Sequence, residues 1–318
     1  MNTKKVIIIG DGNVGASYFF ELAISGLADE IGVIDINRDK VRGDVLDIEH
    51  SLSFHRGINV YGASYKDCSN ADLIVITAGA AQDKNGETRL QLLSRNVLII
   101  KDIVKKIMRS GFDGVFLVAT NPVDVISYVI YKESGLSKNR IVGAGTVLDT
   151  ARLRMDIAKT TKINAGNVHA YVMAEHGDSS FALWSNASVS AIPIREWMRD
   201  SGYSIKDTET MLNKFENRVR KAAYEIIDYK GSTYYGIASS LTRITRAILN
   251  NENVILTVSA YLNGEFKEKD IFMGVPAVIN RTGIRRVIDL KLDEREEKLF
   301  HNSAEIIRDA INQVKTVI

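Results

Sequence analysis

Short runs of β-branched and aliphatic residues alternate with longer stretches of helical periodicity through the first half of the chain. Val6 to Ile9 reads as a strand, Gly15 to Ser25 as a helix and Ile31 to Ile36 as a second strand. Leu73 to Thr77 and Val115 to Ala119 are two further apolar runs, separated by a helical stretch from Arg89 to Met108. Strands that are apolar at every position suit a sheet covered on both faces, and their alternation with helices is the signature of repeated βαβ units. The second half is mixed. Asp149 to Ile157, Tyr203 to Asp228 and Asp293 to Val314 read as helices, Val254 to Tyr261 and Phe272 to Ile279 as strands. This predicts an α+β domain docked on the first, and with no Pro- or Gly-rich linker between them the pattern alone places the boundary, at 1–143 and 144–318.

A chain of 318 residues with 45% hydrophobic and 25% charged residues can bury a large core, which excludes a disordered class. The net charge of +2 comes from 41 basic and 39 acidic side chains spread along the chain, so no basic stripe points to nucleic acid or an anionic membrane. The opening MNTKKVIIIG has too short an apolar run for a signal peptide, and no stretch has the ~18 apolar residues of a membrane span. The single cysteine, Cys68, excludes an internal disulfide, and a cytoplasmic location is expected. No metal-ligand spacing is present.

Gly10-Asp11-Gly12-Asn13-Val14-Gly15 follows the first strand directly and opens the first helix. In that context Gly10 permits a tight turn, Gly12 lets the backbone approach a pyrophosphate and Gly15 lets helix and strand pack closely. The phosphates would sit at the helix N-terminus, where free N–H groups and the helix dipole favour anions. Asp35 ends the second strand, where a carboxylate accepts hydrogen bonds from both ribose hydroxyls and repels a 2′-phosphate, so NAD is the cofactor expected rather than NADP. The fold class is therefore α/β, a Rossmann doubly wound parallel sheet followed by an α+β substrate domain.

From this point the motifs IGDGNVG, VLDIEHS, ITAGAAQ, GETR, NPVD, GAGTVLDTARLR, AEHGDSS, STYYG and GVPAVINR, in that order, resemble the L-lactate branch of the lactate/malate dehydrogenase family over nearly the whole chain. The resemblance implies hydride transfer between nicotinamide and a small 2-oxo/2-hydroxy acid. His176 would be the acid/base at the carbonyl oxygen, a task that suits a pKa near working pH. Asp149 would be its partner, and it also stands where a helix N-cap would. Arg152 would clamp the substrate carboxylate with a two-pronged hydrogen bond. Arg89 would come from a closing loop and polarise the carbonyl. Asn121, Asp124 and Thr233 would complete the substrate pocket, with Asn121-Pro122 cis. The family's cofactor contacts map onto Asn13, Val14, Lys40, Tyr65, Thr77, Ala78, Gly79, Ala80 and Asn121.

Gln82 stands where the malate enzymes carry an arginine, so a second substrate carboxylate would be left unpaired and pyruvate is favoured over oxaloacetate. The loop from Gln82 to Gly86 is one residue longer than usual in the branch, which keeps a broader L-2-hydroxyisocaproate-type dehydrogenase as an alternative. Ala144 stands where a serine or threonine hydroxyl usually bonds the nicotinamide amide. A non-catalytic NAD-sensing protein is the alternative from another class, and the retained His176, Asp149, Arg152 and Arg89 argue against it. Arg154, pointing away from Arg152 on its helix, and His169 match a subunit-interface site for fructose 1,6-bisphosphate in bacterial members, and a homo-oligomer, dimer or tetramer, is expected.

Overall fold

The computed structural model describes residues 3–80 and 89–315, residue 89 by its backbone. Six parallel strands form the first part of one large sheet: β1 (Lys5–Ile9), β2 (Glu30–Ile34), β3 (Asn59–Gly62), β4 (Leu73–Ile76), β5 (Val115–Val118) and β6 (Ile141–Gly143). Their spatial order is β6-β5-β4-β1-β2-β3. The order in which strands are added thus reverses between β1 and β4, and the crevice at such a switch point is where α/β sheets bind ligands. Helices α1 (Asn13–Ser25), α2 (Arg38–Ser51), α3 (Arg89–Met108), α4 (Val123–Ser134) and α5 (Val147–Thr161) connect and follow these strands.

The strands read as uniformly apolar are buried along their whole length, from Val6 to Ile9, Leu73 to Ile76 and Val115 to Val118. Burying each such side chain contributes ~1.5–3 kcal/mol, so the sheet is the main stabilising element of this half. The second half is not simply docked beside it. Strands Val254–Asn263, Lys269–Asn280 and Gly283–Val287 add to the β6 edge, with Ser259 opposite Gly143, and make one nine-stranded sheet across the boundary expected at 143/144. A separate core of Leu153, Ile157, Val168, Trp184 and Phe215 lies under the long helix Ile205–Lys230. Among the described residues no helix is long and apolar enough to cross a membrane.

Two local expectations are corrected. Strand β2 stops at Ile34 rather than Ile36, because the Asp35 carboxylate accepts the backbone N–H groups of Asp11 (2.7 Å) and Asn37 (2.8 Å) and turns the chain, leaving Ile36 fully exposed. Helix α5 begins at Val147, before the Asp149 start expected, so Asp149 lies inside its first turn and is not the N-cap. Thr146 holds the cap position, and its hydroxyl donates to the Val172 carbonyl (2.6 Å) instead of capping.

Candidate active site

The glycine loop joins β1 to α1. Gly10 has φ +105°, and a Cβ there would meet the Ala78 nitrogen at 2.5 Å; a Cβ on Gly15 would meet the Gly10 carbonyl oxygen at 1.9 Å. Both positions therefore exclude any side chain. Gly12 is different, since a Cβ there would point into open space. It stands at the N-cap of α1 with no side chain capping the helix, so the first N–H groups face that space and suit a pyrophosphate. Asn13 and Val14 continue the first turn. The residues present thus fit a dinucleotide.

The other residues expected to contact the cofactor lie at the carboxyl ends of neighbouring strands or just beyond them. Thr77 follows β4, and its hydroxyl donates to the Gly10 carbonyl (2.7 Å), tying the two loops together. Ala78 and Gly79 follow, and Ala80 is positioned by its N–H donating to Asn96 Oδ1 (2.8 Å), a buried side chain of α3. Asp35 stands one residue past β2. Lys40, in the first turn of α2, ion-pairs with Asp11 (3.2 Å) and Asp44 (2.5 Å). Tyr65 is half-buried at the start of a short 3-10 turn after β3. Ala144 directly follows β6, and its N–H donates to the Val118 carbonyl (2.7 Å).

At the substrate end, His176 Nδ1 lies 2.7 Å from Asp149 Oδ2, and the other Asp149 oxygen accepts from Arg152 Nη1 at 3.0 Å. One carboxylate thus orients both the imidazole and the guanidinium. The histidine is largely enclosed, with a quarter of its side chain exposed. Burial disfavours the imidazolium, but the hydrogen bond and charge of Asp149, with the charge of Asp124, outweigh it, and the His176 pKa stands above the ordinary 6.5. Burial likewise opposes ionisation of Asp149, yet the bond and charge of His176 and the charge of Arg152 hold it below the usual carboxylate value.

Asn121 is exposed after β5, and its bond to Pro122 is cis. Thr233 is half-buried in the link between helices Ile205–Lys230 and Tyr235–Leu249, next to Ser232, which accepts from Asn13 Nδ2 (3.1 Å) and so brings this link to the glycine loop. Asp124 departs from its expected place against the substrate. It is 2% exposed, one oxygen accepts the His176 backbone N–H (3.0 Å) and the other the Ser259 hydroxyl (2.5 Å), so it sits behind the histidine and holds its loop. Asn96 and Ser259 carry no signal in the local sequence, because each acts across long separations. Gln82 and the side chain of Arg89 lie outside the described residues. Arg154 is half-buried with Nε donating to the Ala170 carbonyl (3.0 Å) and its guanidinium over the Tyr171 ring, and His169 is exposed on the adjoining strand.

The model of the lactate/malate dehydrogenase NAD-binding domain matches residues 4–143, and that of the family's alpha/beta C-terminal domain matches residues 146–318. An L-lactate dehydrogenase of Geobacillus sp. (strain WCH70) is 51% identical over 98% of this chain and 96% of its own length. L-lactate dehydrogenase 1 of Listeria innocua is 47% identical over 98% of each chain. Among solved structures, the minor L-lactate dehydrogenase of Enterococcus mundtii in its ligands-bound form superposes with a TM-score of 0.95 at 43% identity, covering 98% of both chains. With both domain models matched along nearly its full length, the chain belongs to the lactate/malate dehydrogenase family.

Proposed function

We propose that the chain is an NAD-dependent L-lactate dehydrogenase interconverting pyruvate and L-lactate, with His176 as acid/base. The observation that carries the reading is the shared Asp149 carboxylate, 2.7 Å from His176 Nδ1 and 3.0 Å from Arg152 Nη1. Such an arrangement presents a proton donor and a carboxylate clamp side by side, which a 2-oxo acid needs and a nucleotide sensor does not. Asp149 fixes the proton on Nδ1, leaving Nε2 to give a proton to the carbonyl oxygen in reduction and to take it from the hydroxyl in oxidation. Arg152 would bind the carboxylate, while Arg89 and Asn121 would act on the reacting oxygen. Bound NADH supplies the hydride. Gln82 favours pyruvate over oxaloacetate because it leaves no cation for a second carboxylate. A cytoplasmic location fits the single cysteine, Cys68, which is fully buried. The decisive assay follows NADH absorbance with pyruvate, 2-oxoisocaproate and oxaloacetate. Fastest turnover with pyruvate supports the reading, preference for 2-oxoisocaproate favours the branched-chain alternative, and no turnover with any sinks both.

The raised His176 pKa has a signed consequence. Reduction needs the imidazolium, so kcat/KM for pyruvate is expected to be flat at low pH and to fall as pH rises through a value above 6.5; lactate oxidation, needing the neutral ring, should rise over the same window. Asp149→Asn removes the charge that offsets burial, and the falling limb should move to lower pH. A limb that stays in place in this variant would show that Asp149 does not set the histidine's protonation.

Control by fructose 1,6-bisphosphate at a subunit interface of a homo-oligomer is part of the proposal. It is supported by one placement: Arg154 bonds the carbonyl of Ala170, the residue after His169, so the two side chains belong to neighbouring segments. Two copies across a two-fold axis would repel until a bisphosphate neutralised them. The expected coupling is ~1–3 kcal/mol, read as a lower apparent KM for pyruvate with effector present and lost in Arg154→Gln. Superimposable saturation curves for the unaltered protein with and without effector would remove the regulatory role.

A further inference from the structure

Asp11, the second residue of the glycine loop, is a buried carboxylate that the proposed chemistry does not use. Its side chain is fully enclosed, and among the described residues its polar side-chain neighbours are Lys40, at 3.2 Å in an ion pair, and Asp44. Burial is costly for a carboxylate; together with the nearby Asp44 it pushes the Asp11 pKa up to about 6, against the opposing charge and hydrogen bond of Lys40. Among the described residues its counter-charge is Lys40, whose ammonium lies 3.2 Å from Oδ2 and is also held by Asp44 at 2.5 Å. At the same time the Asp11 backbone N–H donates to Asp35 Oδ2 at 2.7 Å. Asp11 therefore touches, by two different groups, the carboxylate expected to read the ribose and the lysine beside it.

That geometry bears on which dinucleotide is accepted. NADP differs from NAD by a 2′-phosphate, and a lysine beside the ribose is the kind of point charge that would receive it. Here Lys40 is engaged by two carboxylates, Asp11 of the glycine loop and Asp44 one turn along its own helix. The Asp35 carboxylate meanwhile accepts the backbone N–H groups of Asp11 and Asn37. Arg38, exposed at the start of α2, is another cation of this helix and makes no ion pair among the described residues. Removing the Asp35 carboxylate alone would leave Lys40 still engaged.

We propose that Asp11 is a specificity-determining residue that withholds Lys40 from the ribose 2′ position, so that rejection of a 2′-phosphate rests on Asp11 as well as on Asp35. This rests on the reading of the chain as a dinucleotide-binding enzyme. The test measures dissociation constants of NADH and NADPH from nucleotide fluorescence, with no turnover required. Asp35→Ser is expected to shift the ratio of affinities toward NADPH by about tenfold, and Asp11→Ala added to it by roughly another five- to tenfold. Lys40→Gln placed on that double variant should return the ratio to that of Asp35→Ser, while Arg38→Gln should leave most of the gain. Equal ratios in Asp35→Ser and the double variant, or a gain that survives Lys40→Gln, would overturn the proposal. Should Asp11→Ala melt below the assay temperature, Asp44→Asn loosens Lys40 from its other partner without altering the glycine loop; combined with Asp35→Ser it should give a gain of the same sign, and no gain overturns the proposal equally. Failure of the unaltered protein to bind either nucleotide would instead sink the cofactor reading itself.

Discussion

His176→Asn is expected to reduce turnover with pyruvate by ~10²- to 10⁴-fold while NADH binding stays nearly unchanged. With Nδ1 held by Asp149 at 2.7 Å, Nε2 is the nitrogen left to exchange a proton, and an asparagine amide can neither deliver nor accept one near neutral pH. The backbone of residue 176 should stay in place, because its N–H donates to Asp124, whose other oxygen is fixed by Ser259 on the strand Val254–Asn263. Loss of rate would thus report the missing proton and not a displaced loop. Nor should the cofactor pocket change, since the glycine loop and Asp35 are positioned by β1, α1 and β2. Steady-state rates and NADH fluorescence titration on the same preparation check both halves. Retention of half the rate would remove His176 from the mechanism.

The parts legible in the sequence were those set by neighbours along the chain. Helix α3 runs from Arg89 to Met108 as its periodicity predicts, and Gly10 and Gly15 occupy positions where a side chain would collide with backbone. What could not be read are contacts between distant segments. Nothing local tells that Val254–Asn263 will pair with β6, because an apolar strand suits either a new sheet or the edge of an old one. The same holds for the partners of Asp124, which are 52 and 135 residues away, and for Asp11, whose counter-charge, Lys40, stands in the next helix. Asp149 was legible as a partner for His176 but not as the link to Arg152, since that needs the start of α5 to lie before residue 149.

Arg152→Lys should lower kcat/KM for pyruvate by about 10²-fold and Arg152→Gln by about 10³-fold, with NADH affinity unaltered in both. The guanidinium offers a substrate carboxylate two parallel charge-assisted bonds, and lysine keeps the charge but loses the fork. Arg152 is suited to hold a fixed fork because Nη1 is already anchored on Asp149 Oδ1 at 3.0 Å and only about a fifth of the side chain is exposed. Glutamine removes the charge altogether, and two further changes follow. Asp149 loses one of the groups that keep its pKa low, and His176 loses a cation that disfavours its protonated form. The falling limb of pyruvate reduction should therefore move to higher pH in Arg152→Gln, opposite to its movement in Asp149→Asn. The cleanest control is the neutral amide of the substrate, which has no carboxylate to lose; its slow turnover should change by less than about threefold between the unaltered protein and Arg152→Gln. If pyruvate and its amide suffer equally, Arg152 serves only to position Asp149, and the carboxylate clamp must be sought elsewhere in the pocket.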